Sequence, residues 1–288
     1  MCAKIVTVLN RKGGVGKTTL AIGIADTLIA EYQADTTIID LDPQATASRV
    51  LVNEAEFLAR AKLNENLSGL FQARLKHEPI PDKNLYCCDG AHKISGRQTT
   101  NLRLYPNSDS FWDLEAAETA SDNGASLSDE IKAFLQEEAG DCEYIIIDCP
   151  PGQSLSTLAA VQASNLVICP ITPDRYSEWG KELLAGYLKR KSPQTRFKFV
   201  VTRHNGSRKE AKEVTQRLRD DPNMLRVALG GQQPGLANEL ARFGECAKVV
   251  NRINMDSRKM LYRIYGDDGA KELGVIVDAI RRELDADG

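Results

Sequence analysis

Short runs of consecutive apolar residues, many of them β-branched, recur along the chain and constrain its fold more than any other feature. They cover residues 4–10, 36–41, 144–149, 165–171 and 197–202. A strand that is apolar at consecutive positions must be buried on both faces, as the strands of a helix-covered parallel sheet are. The sequence therefore predicts a doubly wound α/β fold, with a mainly parallel sheet and helices on both faces.

A glycine-rich stretch, NRKGGVGKTT at 10–19, joins the first run to a segment of helical periodicity. In this setting, glycines let successive backbone N–H groups turn toward a phosphate, and the helix start adds partial positive charge. Lys17 is placed to reach the β- and γ-phosphates, and the Thr18 hydroxyl to bind Mg²⁺. The remaining residues of the predicted phosphate loop are Gly13, Gly14, Val15, Gly16 and Thr19.

Acidic residues end two of the other apolar runs. Asp40 and Asp42 stand at the end of the second run, and Asp148 ends the third. Ligands of an open parallel sheet bind outside the carboxyl ends of its strands. We therefore expect all three carboxylates to converge on one bound nucleotide.

The segments KGGVGKTT (12–19), DLDPQ (40–44) and IIIDCPP (145–151) together resemble the deviant Walker-A ATPases of the ParA/MinD family. The likeness covers roughly residues 3–50 and 143–203. It implies a P-loop NTPase-like fold, ATP and Mg²⁺ as cofactors, and hydrolysis of ATP to ADP and phosphate. In that family an extra lysine reaches across a dimer interface to the partner's ATP, which implies this role for Lys12.

The same resemblance implies roles for other positions. Asp42 would orient or activate the attacking water, while Asp40 and Asp148 would hold Mg²⁺ largely through its waters, with Thr18. Residues 150–152 would form a switch that senses the γ-phosphate. Three further residues are predicted to contact the nucleotide, although no motif marks them: Arg11, and Thr202 and Arg203 near the base. Arg11 departs from the family's usual Gln, Ser or Gly, and it either adds charge to the interface or contacts a neighbouring acid.

Charge is distributed unevenly along the chain. The net charge is only −3, yet residues 189–263 contain 18 Lys and Arg residues against 7 Asp and Glu residues. Such a basic region is typical of a protein that binds a polyanionic partner, although an ordinary solvated surface is the alternative. Without a base-reading motif, we expect non-specific contacts with DNA phosphates. The candidate contacts are Lys189, Arg190, Arg208, Lys212, Arg219, Arg252 and Arg258.

Two other branches of the family remain as alternatives. A MinD-like membrane-positioning ATPase needs a basic amphipathic helix at a chain end. Here the terminal apolar row is surrounded by acids, so we expect it to pack against the sheet; it consists of Leu273, Ile276, Val277, Ile280 and Leu284. A synthetase acting on a small carboxylate would need a second pocket, which residues 53–110 could supply. The cysteines have no metal-ligand spacing and are predicted to be reduced thiols.

We expect a single domain over 1–288, without an N-terminal DNA-reading domain, leader or membrane span, and hence a cytoplasmic, nucleoid-associated protein. Residues 53–110 are predicted to be an irregular excursion at the sheet edge, with a hairpin between 84–88 and 101–105. A helix is predicted from a Ser128 cap to about 139. The expected function is ATP-dependent homodimerisation, non-specific DNA binding, and partition or positioning of cargo with a ParB-like stimulating protein.

Overall fold

A computed structural model describes residues 2–89, 102–120, 126–204, 209–228, 238–240, 242–244 and 260–286. Its strands are β1 (Lys4–Val8), β2 (Thr36–Asp40), β3 (Cys88–Asp89), β4 (Leu102–Tyr105), β5 (Tyr144–Asp148), β6 (Leu166–Ile171), β7 (Arg196–His204), β8 (Arg226–Ala228), β9 (Asn238–Leu240) and β10 (Arg242–Gly244). Its helices are α1 (Lys17–Tyr32), α2 (Thr46–Leu51), α3 (Glu54–Leu63), α4 (Leu67–Leu75), α5 (Phe111–Ala120), α6 (Leu127–Glu138), α7 (Leu155–Ala163), α8 (Arg175–Lys191), α9 (Lys209–Leu218) and α10 (Met260–Asp285), with a 3-10 helix at Lys83–Tyr86.

Eight of the described strands form a sheet in the order β10-β7-β6-β1-β5-β2-β4-β3. Neighbouring strands are parallel except β3 and β4, which pair antiparallel. The hairpin predicted between 84–88 and 101–105 is therefore confirmed only at Cys88 and Leu104, because Lys83–Tyr86 forms a 3-10 helix instead of a strand. Strands β8 and β9 pair separately. Strand β1 lies between β5 and β6, so the segment that follows it emerges near the middle of the sheet.

Side chains of the central strands alternate between two apolar clusters. In β1, Val6 and Val8 belong to the cluster that contains α1 and α10, whereas Ile5 belongs to the cluster that contains α4, α6, α7, α8 and α9. Helices therefore cover both faces, and most positions of the central strands carry an apolar side chain. This arrangement confirms the predicted doubly wound α/β fold and explains the continuous apolar runs.

The described residues of the segment at 53–110 are more regular than predicted, because they include α3, α4 and the 3-10 helix. Asn53 and Asn66 accept hydrogen bonds from the first turns of α3 and α4. The sequence concealed these short helices because the residues that cap helices are also those that form turns. The helix predicted from Ser128 begins at Leu127, and Ser126 is its N-cap residue.

Helix α10 buries its apolar row within the fold, as predicted, although the row packs on α1 as well as toward the sheet. A Cβ atom added to Gly23 of α1 would come within 2.8 Å of the Leu273 side chain. The row that a membrane-binding helix would have to expose is thus covered within the fold. Among the described helices, none combines the length and apolar character needed to cross a membrane.

We predict that Leu273→Ala lowers the free energy of unfolding by about 2–5 kcal/mol, because it leaves a cavity between α1 and α10. Urea unfolding measures this change. Lys271→Ala removes an exposed side chain from the same helix and should change the free energy by less than about 0.5 kcal/mol. Equally small effects for the two variants would contradict the packing of α10 on α1.

Candidate nucleotide-binding site

Parallel pairing places two acidic residues side by side. Asp40 at the end of β2 and Asp148 at the end of β5 are register partners. Val8, the last residue of β1, pairs with Asp148 on the other side. Because the glycine loop leaves β1 just after Val8, the loop and both acids lie at the same edge of the sheet, as the sequence predicts.

The loop at residues 10–16 leads into a helix start that is suited to an anion. Gly14 and Gly16 have φ angles of 72° and 90°, a conformation that residues with a Cβ atom rarely adopt. Helix α1 then begins at Lys17 with no side-chain cap and no acidic residue in its first turn. Such a helix start offers backbone N–H groups and partial positive charge to a bound phosphate.

Asn10 supports the loop from the sheet. Its Nδ2 donates a hydrogen bond to the Pro170 carbonyl at 2.6 Å, and its Oδ1 accepts one from the Lys12 amide at 2.9 Å. Asn10 was not among the predicted site residues, because a polar residue at the end of a strand has no motif of its own.

Two residues at the end of β7 also hold the loop. Thr202 Oγ1 donates to the Val15 carbonyl at 2.6 Å, and Arg203 Nη1 donates to the Gly14 carbonyl at 2.9 Å. Thr202 is 1% exposed, so its hydroxyl fixes the loop from behind. Thr202 and Arg203 thus support the loop from β7, and Arg203 also lines a cavity next to the loop. Their contact with the base stays a prediction.

Lys17 and Asp42 face the space beneath the loop and are 7% and 6% exposed. Burial lowers the pKa of Lys17, and the charges of Asp148 and Asp42 act in the opposite direction. Asp42 Oδ1 accepts a hydrogen bond from the Gln44 amide at 2.9 Å. The two side chains are therefore close enough to interact and are largely shielded from water, where electrostatic interactions are strong.

Asp40 is fully buried and held by several hydrogen bonds. Its Oδ2 accepts from both the amide and the hydroxyl of Ser48, at 2.9 and 2.7 Å, and its Oδ1 accepts from the Asp42 amide at 3.2 Å. Burial raises the pKa of Asp40 to about 7, although the bonds from Ser48 lower it. Ser48 was not among the predicted site residues.

Asp148 is equally buried but lacks comparable support. Neither of its carboxylate oxygens accepts a hydrogen bond from the described part of the chain. Burial, and then the charge of Asp40, raise the pKa of Asp148 well above its ordinary value, although the nearby Thr18 hydroxyl and the charge of Lys17 lower it. A buried carboxylate without donors is unfavourable unless a proton or a cation joins it.

Lys12 contacts its own chain in this structure. Its ammonium lies 3.0 Å from Asp174 Oδ2 and 3.4 Å from the hydroxyls of Thr172 and Ser177. Burial alone would raise the pKa of Asp174, but hydrogen bonds from Thr172, Lys12 and Ser177 lower it to about 2. Neighbouring Arg11 is exposed.

An open cavity of about 420 Å³ lies beside the loop, and Asp40, Asp42 and Asp148 do not line it. It is lined by Lys12, Pro173, Asp174, Arg203 and Glu210, together with the outer face of the loop. The walls of this cavity are thus partly apolar and partly charged, and residues 12–15 of the loop form one of them. A nucleotide whose phosphates bind the loop could place its base there.

The segment predicted to be a switch follows Asp148 directly. Gly152 has a φ of 129°, which favours glycine. Ser154 then caps α7, and Ser156 donates a hydrogen bond to Glu115 of α5. The helix that follows residues 150–152 is thus hydrogen-bonded to α5.

The candidate DNA contacts fall into two groups. Lys189 and Arg190 are exposed at the C-terminal end of α8, and Lys212 and Arg219 are exposed on and just after α9. On α9, the predicted inward-facing residues are buried; they are Ala211, Val214 and Leu218. Three predicted contacts lie outside the described residues: Arg208, Arg252 and Arg258.

Comparison with known proteins identifies relatives of the chain. A family model described as an AAA domain, AAA_31, matches residues 3–199. The chain is 31% identical over 175 residues to the chromosome partitioning protein ParA of Myxococcus xanthus. That alignment covers 60% of this chain and 54% of the Myxococcus protein, so the chain spans only about half the length of this relative.

Solved structures share the fold. A plasmid partition protein of Borrelia burgdorferi B31 bound to AMPPNP has a TM-score of 0.74 at 20% identity, covering 98% of this chain and 100% of that one. Cobyrinic acid a,c-diamide synthase of Mycobacterium smegmatis with ADP and magnesium has a TM-score of 0.70 at 19% identity, covering 99% and 97%. With the matched family and the loop geometry, these findings lead to one conclusion: the chain belongs to the AAA_31 family of ParA-type P-loop ATPases.

Proposed function

We propose that this chain is a Mg²⁺-dependent ATPase that dimerises when it binds ATP, binds DNA non-specifically in that state, and is released when a ParB-like protein stimulates hydrolysis. Partition or positioning of a plasmid, chromosome or other cargo, in the cytoplasm and on the nucleoid, follows from this cycle. The observation that carries the proposal is the convergence of Lys17, Asp40, Asp42 and Asp148 on a bare helix start, with Lys12 at the exposed end of the same loop.

The nucleotide assignment rests on the shape of the loop. The amides of residues 13–19 would bind the phosphates, and Lys17 would contact the β- and γ-phosphates. The base would enter the 420 Å³ cavity, where the Arg203 guanidinium and Pro173 offer flat surfaces. The Borrelia relative of the same fold was solved with AMPPNP.

The residues beside the loop fit Mg²⁺. Asp148 has two buried oxygens without hydrogen-bond donors, and Asp40 and Thr18 supply the further oxygens that this hard cation prefers. When bound, Mg²⁺ would neutralise charge on the phosphates during transfer to water. Asp42 would orient the attacking water, because one of its oxygens is held by the Gln44 amide while its carboxylate faces Lys17.

The raised pKa values predict how stability depends on pH without metal. Between about pH 3.8 and pH 7, folded Asp40 holds a proton that the unfolded chain releases. The free energy of unfolding of the metal-free protein should therefore fall as pH rises through this window. Urea unfolding in EDTA measures the slope, which Asp40→Asn should flatten. An unchanged slope in the variant would contradict the assignment.

Lys12 is suited to change partners. The ion pair with Asp174 is half exposed, with side-chain exposures of 49% and 30%, and such pairs contribute only about 0–1 kcal/mol. The phosphates of a second molecule would offer Lys12 a more highly charged partner. We therefore interpret the contact with Asp174 as the resting position of Lys12 in the monomer.

Dimerisation can be tested in a hydrolysis-deficient background. Asp42→Ala should form a stable dimer with ATP and Mg²⁺, and adding Lys12→Ala should leave a folded monomer, because the cation that bridges to the second nucleotide is lost. Light scattering after size exclusion measures both masses. Lys62→Ala, which removes an exposed cation on α3, should still dimerise. The proposal fails if Asp42→Ala stays monomeric at saturating ATP.

DNA binding rests on the exposed cations at the ends of α8 and α9. Their exposure matters because other cations in the basic region have acidic partners. Lys198 pairs with Glu283 at 3.1 Å, and Arg217 pairs with Glu178 through two hydrogen bonds of 2.9 and 2.7 Å. A cation already paired in this way gains less from a phosphate than a free one does.

Replacing Lys189 and Arg190 together with alanine should weaken binding of ATP-loaded protein to random duplex DNA. The slope of log affinity against log salt should decrease in magnitude by about 2, because two phosphate contacts are lost. Fluorescence anisotropy at several salt concentrations measures the slope. Arg217→Ala is the matched control and should have a smaller effect. A wild-type slope in the double variant would exclude this surface.

Likeness to the synthase shows the fold alone, and a simple assay separates the two activities. A synthetase would hydrolyse ATP only with a small carboxylate and an amide donor, whereas the proposed ATPase should respond to DNA and a partner protein. Measuring phosphate release under both conditions distinguishes them.

A further inference from the structure

A buried series of hydrogen bonds links Asp40 to helix α4. It passes through Ser48 of α2 and Asn107, in the loop after β4, and reaches Ser68. All four side chains are buried. Because α4 and this loop belong to the segment at 53–110, the series connects that segment to the candidate metal site.

The direction of the bonds at Ser48 follows from their chemistry. The backbone amide of Asn107 donates to Ser48 Oγ at 2.9 Å, and a backbone N–H can only donate. The single hydroxyl proton of Ser48 is therefore free to donate to Asp40 Oδ2, at 2.7 Å. With the Ser48 amide at 2.9 Å, two donors fix one oxygen of Asp40.

The far end of the series holds Asn107 in place. Its Oδ1 accepts from Ser68 Oγ at 2.8 Å and from the Ser108 amide at 2.9 Å. The Pro106 carbonyl accepts from the Leu67 amide at 2.8 Å. The loop is thus attached to α4 by backbone as well as side-chain bonds, so the Asn107 amide has little freedom to move.

We propose that Ser48 is a positioning residue for Mg²⁺: held by the backbone amide of Asn107, it fixes Oδ2 of the Asp40 carboxylate and so leaves Oδ1, which accepts only the 3.2 Å bond from the Asp42 amide among described residues, as the oxygen that would serve the cation. This inference rests on the proposed function, since it assumes that Asp40 serves a metal. Groups that orient a metal's ligands typically contribute about 10–100-fold to metal affinity. The segment at 53–110 accordingly forms part of the support of the site.

The experiment measures metal affinity without turnover. Mn²⁺ takes the same oxygen ligands as Mg²⁺ and is visible by electron paramagnetic resonance, so it can be titrated into protein saturated with AMPPNP. Ser48→Ala should weaken Mn²⁺ binding by about 10-fold, and leave the affinity for AMPPNP in EDTA unchanged. Ser48→Thr, which keeps the hydroxyl, should restore most of the metal affinity.

Ser68→Ala is the matched control. It removes a buried hydroxyl from the same series but leaves the Asn107 amide and Ser48 in contact with Asp40. It should lower the melting temperature and change Mn²⁺ affinity by less than about 3-fold, a margin well inside the effect expected at Ser48. If Ser48→Ala does not fold, Ser48→Cys, whose thiol is a weak donor, should show the same loss.

The outcomes separate the two proposals. Wild-type Mn²⁺ affinity in folded Ser48→Ala or Ser48→Cys overturns the role of Ser48. An equal loss in Ser68→Ala also overturns it, because general loosening would then explain the effect. Wild-type protein that binds neither AMPPNP nor Mn²⁺ overturns the proposed function itself.

Discussion

The pairing of β2 with β5 places two carboxylates next to each other, away from water, and the chemistry of the site depends on this constraint. Asp40 and Asp148 are both fully buried, and two such charges can remain together only with a shared proton or a cation. Asp40 is fixed by donors, whereas the oxygens of Asp148 receive none from described residues. This asymmetry suits a cation that binds between a rigid ligand and an unsatisfied one.

The loop's two lysines occupy different environments and therefore suit different tasks. Lys17 is buried near Asp148 and Asp42, in a position fixed by the start of α1. Lys12 lies at the surface, in a weak contact with Asp174. A buried cation with a lowered pKa suits a permanent phosphate contact, and an exposed one suits a contact that forms only when a second molecule arrives. Asp174 also caps α8, so movement of Lys12 would be felt at that helix.

The structure also shows that some cations of the basic region at 189–263 are paired with acidic side chains. A count of charges along the sequence treats every cation alike, but the fold pairs several of them with acids that are distant in sequence. Arg217 and Glu178 come from different helices, and Lys198 and Glu283 are 85 positions apart along the chain. The surface open to a polyanion is accordingly smaller than the composition suggests, and it includes the exposed ends of α8 and α9.

Sequence alone determined the buried strands, the loop and the acids at the strand ends, because each depends on a local pattern: continuous apolar runs, glycines with positive φ, and carboxylates that end a strand. The burial of the α10 row followed from periodicity in the same way. Tertiary structure decided what depends on contacts between distant segments. Four residues of the site have ordinary local sequences and matter only because of the partners that folding brings to them. The pairs are Asn10 with Pro170, Ser48 with Asp40, Asn107 with Ser48, and Asp174 with Lys12. The support that Thr202 gives to the loop was not predicted for the same reason, since only the fold shows that its hydroxyl donates to the Val15 carbonyl.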